Sequence, residues 1–320
     1  MSKRSAVRAP WLLLTAGAIW GLAFVAQRVG MDHIGPFLFN GLRFLIGSAV
    51  LVPFFLYRRH RSSLRTSNQG FVNAPRSQTP LSEAAPKGPP RSHVIGLLLA
   101  GTVLFASASL QQIGMVYTTA GKGGFITGLY VVIVPFLGLF RGHRVQRHVW
   151  LAAIAAAVGT YLLSGAERLS LAPGDGWVFL GAIGWATHVH LVGWLADRVD
   201  TLKIAVTQFA VCGFLSLGVS LLVEDITTAG LVGAALPIAY AGFLSVGIAY
   251  TLQIVGQRHI DPSRAGILLS LEAVFAVLGG WLILGETLGV RAMIGCTLML
   301  GGMMLAQIRT HKRALSGTGT

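Results

Sequence analysis

Two ionisable side chains of opposite sign, Glu272 and Arg43, stand inside long apolar stretches of this 320-residue chain. A carboxylate deep in hydrocarbon costs several kcal/mol unless it is paired, wetted or protonated, which makes such a residue a candidate for proton coupling or substrate contact. Pro262 can fill the first turn of a helix with Asp261 as its N-cap. Ten residues further on, at about 1.5 Å each, Glu272 lies roughly 15 Å in, near the middle of a bilayer. The alternative is a protonated Glu272 that bonds a neighbouring carbonyl and fixes packing. Arg43 follows Pro36 by about two helical turns, roughly 10 Å in, with Asn40 on the same helical face. It can bind a carboxylate, pair with an acid, or turn its head back to the interface.

His188 and His190 also sit deep in an apolar run, but two residues apart they point in different directions and cannot form a metal pair. Trp185 and His188 share a face, which suits an aromatic pocket for a planar or cationic substrate; hydrogen-bonded core histidines are the alternative. Tyr250, Gln253 and Gln257 form one polar stripe, and Ser107, Gln111, Gly114 and Thr118 another. Polar stripes in lipid face protein or a watery cavity. Trp20 occupies a setting like that of Trp185, each just after a Gly-Ala-Ile triplet.

The elements that would position these residues follow from composition. Hydrophobic residues make up 53% of the chain and charged residues only 11%, where a soluble globular protein carries about a quarter charged. That excludes a water-soluble enzyme. Apolar runs at about 11–28, 36–57, 94–117, 121–140, 149–164, 176–196, 204–223, 231–256, 262–284 and 292–308 predict ten transmembrane helices in an all-α fold. With the N-terminus inside, 20 of the 25 basic residues fall in cytoplasmic segments and four opposite, with Arg43 within a span. The net charge of +14 therefore reports orientation, with both termini cytoplasmic, and does not point to nucleic acid. Residues 58–93 hold five prolines and little apolar material, and are expected to form a disordered cytoplasmic loop. Cys212 and Cys296 lie in apolar runs without metal or redox spacing and read as core.

The chain also repeats. One constant offset, without a gap, places Leu110-Gln111 on Leu252-Gln253, Lys122 on Arg264, Leu129 on Leu271, Val132 on Val274 and Gly159 on Gly301. It also sets Tyr130 against Glu272, so only one copy carries the acid. A looser match sets Gly17-Ala18-Ile19 on Gly181-Ala182-Ile183. Five spans is an odd number, so the second copy must be inverted in the membrane. The expected units are 1–165, 170–310 and a cytoplasmic tail at 311–320.

Ser270-Leu271-Glu272-Ala273-Val274-Phe275-Ala276, followed by Leu284-Gly285-Glu286-Thr287-Leu288, resembles the sequence pattern of the EamA-like domains of the drug/metabolite transporter superfamily. The first-copy counterpart runs from Phe125 to Val132. Ala273 stands where that family often has proline, and Arg144 replaces the first-copy glutamate. The resemblance implies a multi-pass carrier of the plasma or bacterial inner membrane that exports amino acids, related metabolites or drugs. Proton or exchange coupling is compatible with it, and a lipid carrier or flippase is the alternative within transport. A membrane-embedded enzyme or a channel is the alternative of another class. No phosphate loop, zinc-protease or nucleophile-elbow motif is present, so no catalytic residue, metal or cofactor is expected. The expected partners are a small-molecule substrate and the lipid bilayer, not nucleic acid, and a homodimer stays open. The substrate-pathway candidates are Glu272, Tyr130, His188, Trp185, Trp20, Arg43, Asn40, Gln111, Gln253 and Tyr250.

Overall fold

In lipid every backbone polar group needs an internal partner, so apolar runs of this length must coil. The computed structural model describes residues 3–72, 91–117, 120–140, 142, 145–163, 173–275, 278 and 289–306, and among these there is no strand. In chain order the first half holds α1 (Lys3–Met31), α2 (Pro36–Val72), α3 (Arg91–Tyr117), α4 (Ala120–Gly128), α5 (Tyr130–Phe140) and α6 (Arg147–Leu163). The second holds α7 (Asp175–Ala196), α8 (Thr201–Val223), α9 (Thr228–Gly233), α10 (Ala235–Ala239), a π-helical stretch (Tyr240–Tyr250), α11 (Thr251–Gln257), α12 (Pro262–Leu269) and α13 (Val290–Ala306).

Six of the described helices are long and apolar enough to cross a membrane: Arg8–Met31, Pro36–Tyr57, Arg91–Tyr117, Asp175–Ala196, Thr201–Val223 and Ala235–Gln257. The other expected spans are short or interrupted. The run expected over 121–140 breaks between α4 and α5, where Leu129 N–H donates to the Ile126 carbonyl at 3.2 Å, a three-residue step. The run expected over 262–284 breaks after α12, where Leu271 N–H donates to the Leu268 carbonyl at 3.4 Å. Leu129 and Leu271 are partners in the internal repeat, so the two breaks fall at equivalent positions.

One boundary differs from the sequence reading. The loop expected over 58–93 does not begin at Arg58, because α2 continues to Val72, and α3 already begins at Arg91. The physical reason is local: residues 58–72 contain no proline, whereas all five prolines of the segment lie from Pro75 to Pro90. Residues 73–90 lie outside the described residues, as do Thr118, Arg144, the stretch 284–288 and the expected tail at 311–320.

Close packing shows how the halves relate. A methyl group added to Gly41 of α2 would lie 2.7 Å from Leu217 Cδ2, and one added to Gly213 of α8 would lie 2.7 Å from Leu45 Cδ2. Residue numbers rise on one helix as they fall on the other, so α2 and α8 cross antiparallel, and exchanging the halves reproduces the contact. The same exchange pairs Gly159, against the Gly295 carbonyl, with Gly302, against that of Ala152. Gly159 thus corresponds to Gly302 and not to Gly301, the partner that the sequence repeat assigns, because the second copy gains a residue before α13. Gly114 meets Gly174 and Val178 of α7, while Gly256 meets Ala9 and Leu13 of α1. Exchange therefore carries Ala9 onto Gly174 and Leu13 onto Val178, and the same register of α1 on α7 brings Trp20 onto Trp185. The triplet match is one residue out of that register.

Candidate functional site

The interrupted helices deliver their side chains to the middle of the bundle. Asp261 accepts from Arg264 N–H at 3.1 Å and Pro262 fills the first turn of α12, so the helix starts where the sequence reading places it. Glu272 follows the break, 9% exposed, and Tyr130 follows the equivalent break, 5% exposed. Both open onto one cavity.

That cavity is lined by Trp20, Phe24, Gln27, Arg43, Gln111, Thr127, Tyr130, Trp185, Val189, Ser245, Tyr250, Gln253, Leu269 and Glu272. It measures about 60 Å³ at the centres of water-sized occupants, where a single water needs about 10–15 Å³. Eight of the ten sequence candidates are therefore gathered in one wall: Trp20, Arg43, Gln111, Tyr130, Trp185, Tyr250, Gln253 and Glu272.

His188 and Asn40 are not in that wall. His188 is fully buried, with Nε2 3.0 Å from Gln208 Oε1, and its ring packs edge-on to Trp185 and Tyr250. His190 Nε2 donates to the Val134 carbonyl at 2.7 Å and ties α7 to α5. Asn40 is fully buried in α2, and neither atom of its amide has a hydrogen-bond partner among the described residues. The sequence reading missed Phe24 and Val189, although each sits one helical turn beyond a tryptophan it selected, and Thr127, nearly a turn before Tyr130. Gln27, Ser245 and Leu269 carried no comparable signal.

The cavity wall combines the basic Arg43 and the acidic Glu272 with the aromatic Trp20, Trp185 and Tyr250. The Arg43 guanidinium lies 4.9 Å from the centre of the Phe44 ring and 5.5 Å from that of Phe39, on side chains of its own helix. At 4% exposure it does not snorkel to the interface. Its Nε has no hydrogen-bond partner among the described residues, and no described acid pairs with it. No described residue donates to the Glu272 carboxylate either. Trp20 and Tyr250 meet edge to face at 4.6 Å, and Trp185 lies 6.3 Å from Tyr250. Trp185 Nε1 donates to Gln111 Oε1, whereas Trp20 Nε1 donates to the Ser245 carbonyl at 3.1 Å.

A central cavity between two halves related by exchange is the architecture of a carrier. The sequence profile of the EamA-like transporter family matches residues 8–165 and again residues 172–307. The chain belongs to the EamA-like transporter family. Similar proteins include an uncharacterized transporter of Archaeoglobus fulgidus, 24% identical over 302 residues that cover 93% of this chain and 85% of that one. The uncharacterized inner membrane transporter YedA of Escherichia coli K12 is 26% identical, covering 84% of this chain and 81% of its own length. A solved crystal structure superposes with a TM-score of 0.71 at 21% identity, covering 96% of this chain and 97% of that chain, and supports the fold. This EamA-like chain is thus an all-helical, multi-pass membrane transporter built of two repeats.

Proposed function

We propose that this transporter moves a small organic metabolite bearing both an acidic and a basic group, an amino acid or a relative of one, out of the cell by alternating access. The reading takes ten passages, with the interrupted helices as the fourth and ninth, and an inverted second copy, both termini being cytoplasmic. One observation carries it: Arg43 and Glu272 are both buried, both open onto the same cavity, and are not bonded to each other. A zwitterion supplies the partner each lacks, its carboxylate on the Arg43 guanidinium and its ammonium on the Glu272 carboxylate. Trp20, Trp185 and Tyr250 add aromatic surface to the same wall, which accepts a cation or a flat apolar group. When the ammonium departs, a proton is the simplest replacement on Glu272, which is the basis for proton coupling. The outward direction rests on the resemblance to efflux carriers.

The test is exchange of labelled amino acids in proteoliposomes made with the purified protein. Saturable exchange that Arg43→Met abolishes, and that amines lacking a carboxylate do not inhibit, is expected. Conduction far above carrier rates, or exchange indifferent to Arg43, overturns the reading.

A further inference from the structure

Exchange of the two halves carries Trp20 onto Trp185, in the register fixed by the glycine contacts of α1 and α7, and Gln111 onto Gln253, in the register of the sequence repeat. All four side chains line the one cavity. Only one of the two equivalent bonds is made. Trp185 Nε1 donates to Gln111 Oε1. Its counterpart is absent: Trp20 Nε1 donates to the Ser245 carbonyl, and Gln253 Oε1 is buried without a hydrogen-bond partner among the described residues. An indole can only donate and an amide oxygen can only accept, so the displaced donor and the orphaned acceptor are complementary. A buried acceptor left unmade is unfavourable, so this half of the site is held in the less satisfied arrangement.

The backbone of the two halves differs at the same place. Ser245 lies in the π-helical stretch Tyr240–Tyr250, whereas the equivalent residues 98–108 of α3 are ordinary α-helix. Wide π turns are rare and disturb the regular ladder of backbone bonds. Here the Ser245 carbonyl of the widened stretch takes the Trp20 N–H that Gln253 Oε1 lacks. In carriers made of inverted copies, the two end states exchange the conformations of the copies. An arrangement present in one half of the described state is then required of the other half in the opposite state.

We propose that Trp185–Gln111 and Trp20–Gln253 are alternating latches. The first is bonded in the described conformation and the second in the conformation that opens to the other side, each forming as the other parts. The proposal rests on transport by alternating access, and goes beyond it by naming the side chains that set the balance between the two states.

Phe24 and Val189 supply matched reporters, since both line the cavity one turn beyond the two tryptophans and are equivalent in the same register. In a background of Cys212→Ala and Cys296→Ala, the Phe24→Cys and Val189→Cys variants are labelled in oriented vesicles with a membrane-impermeant thiol reagent, and the ratio of their rates is measured. Gln111→Leu removes the acceptor of the closed latch and Gln253→Leu that of the open one. The expected result is a ratio that moves in opposite directions, by about three- to tenfold, the worth of one buried hydrogen bond. Movement in the same direction, or by less than about twofold in both, overturns the latches. Trp185→Phe serves as the second variant should Gln111→Leu not fold, and is expected to move the ratio as Gln111→Leu does. Amino-acid exchange in the same vesicles separates the two readings. Opposite label shifts in a parent that exchanges nothing keep the latches and retire the substrate reading, while exchange with unmoved labels retires the latches.

Discussion

The junction between α8 and α2 offers a sharp stability test. Glu224, just past the end of α8, accepts from Phe37 N–H at 2.8 Å and from Leu38 N–H at 2.7 Å, so a side chain of the second half caps the first turn of α2. The α2 start, Gly35-Pro36, has no polar side chain of its own to do this. Charge-assisted bonds to backbone N–H groups at a helix N-terminus are worth about 1.5–3 kcal/mol each when buried. Glu224 is part-exposed, so Glu224→Ala is expected to cost about 2 kcal/mol for the pair, or about 4 °C in a chain of this size. Gly35 provides the second leg of the argument, because a methyl group there would fall onto the Glu224 carboxyl carbon. Gly35→Ala should therefore also destabilise, by roughly 1–3 kcal/mol. In the Glu224→Ala background the obstacle is gone, and the same substitution should cost almost nothing. The assay is thermal stability of the detergent-solubilised protein, by size-exclusion profile after heating, for the two singles and the double. Strict additivity refutes the assigned contact. A Glu224→Ala loss below about 0.5 kcal/mol, no more than an ordinary surface substitution costs, refutes the cap.

Two further outcomes are expected. Gly41→Ala and Gly213→Ala should destabilise by similar amounts, roughly 1–3 kcal/mol, because each added methyl meets the same leucine atoms at the same distance, whereas Gly218→Ala, with nothing within 4 Å, should be near neutral; the same heating assay reads all three. Glu272→Gln should abolish accumulation driven by a pH gradient and weaken amino-acid exchange, because the substrate ammonium loses its proposed partner, while expression is kept; accumulation that persists in proteoliposomes would make Glu272 structural.

Much of the site was legible because its signals are local or periodic. Glu272 and Arg43 betray themselves as charge within apolar runs, and the repeat pairs Gln111 with Gln253 without any structure. The aromatic pairing was blurred: the triplet match misses the Trp20–Trp185 register by one residue, since only the contacts of Gly114 and Gly256 fix it. The contacts of Gly41 and Gly213 set those two residues as partners in α2 and α8, and their offset is wider than that between Gln111 and Gln253. The narrowing means that the first copy holds a longer stretch between its second and third helices, where the proline-rich segment lies. Such an insertion defeats any search at one fixed offset. The helix breaks at Leu129 and Leu271, and the π-helical stretch, were not legible. Local periodicity does not register a change of a single backbone step, and the Val-, Leu- and Gly-rich sequence there gives no warning.

The inequality of Tyr130 and Glu272 has a consequence for the whole cycle. Exchange of the halves maps a phenol onto a carboxyl, so the scaffold is nearly balanced about its centre while the chemistry at that centre is lopsided. A device with matched halves would rest equally in its two orientations. In the proposed cycle, Glu272, the one acid among the described residues of the cavity wall, stands on the second half, so the two orientations would differ in energy. In the proposed cycle one side chain sets the balance between the two orientations, while the gradients set the direction of net transport.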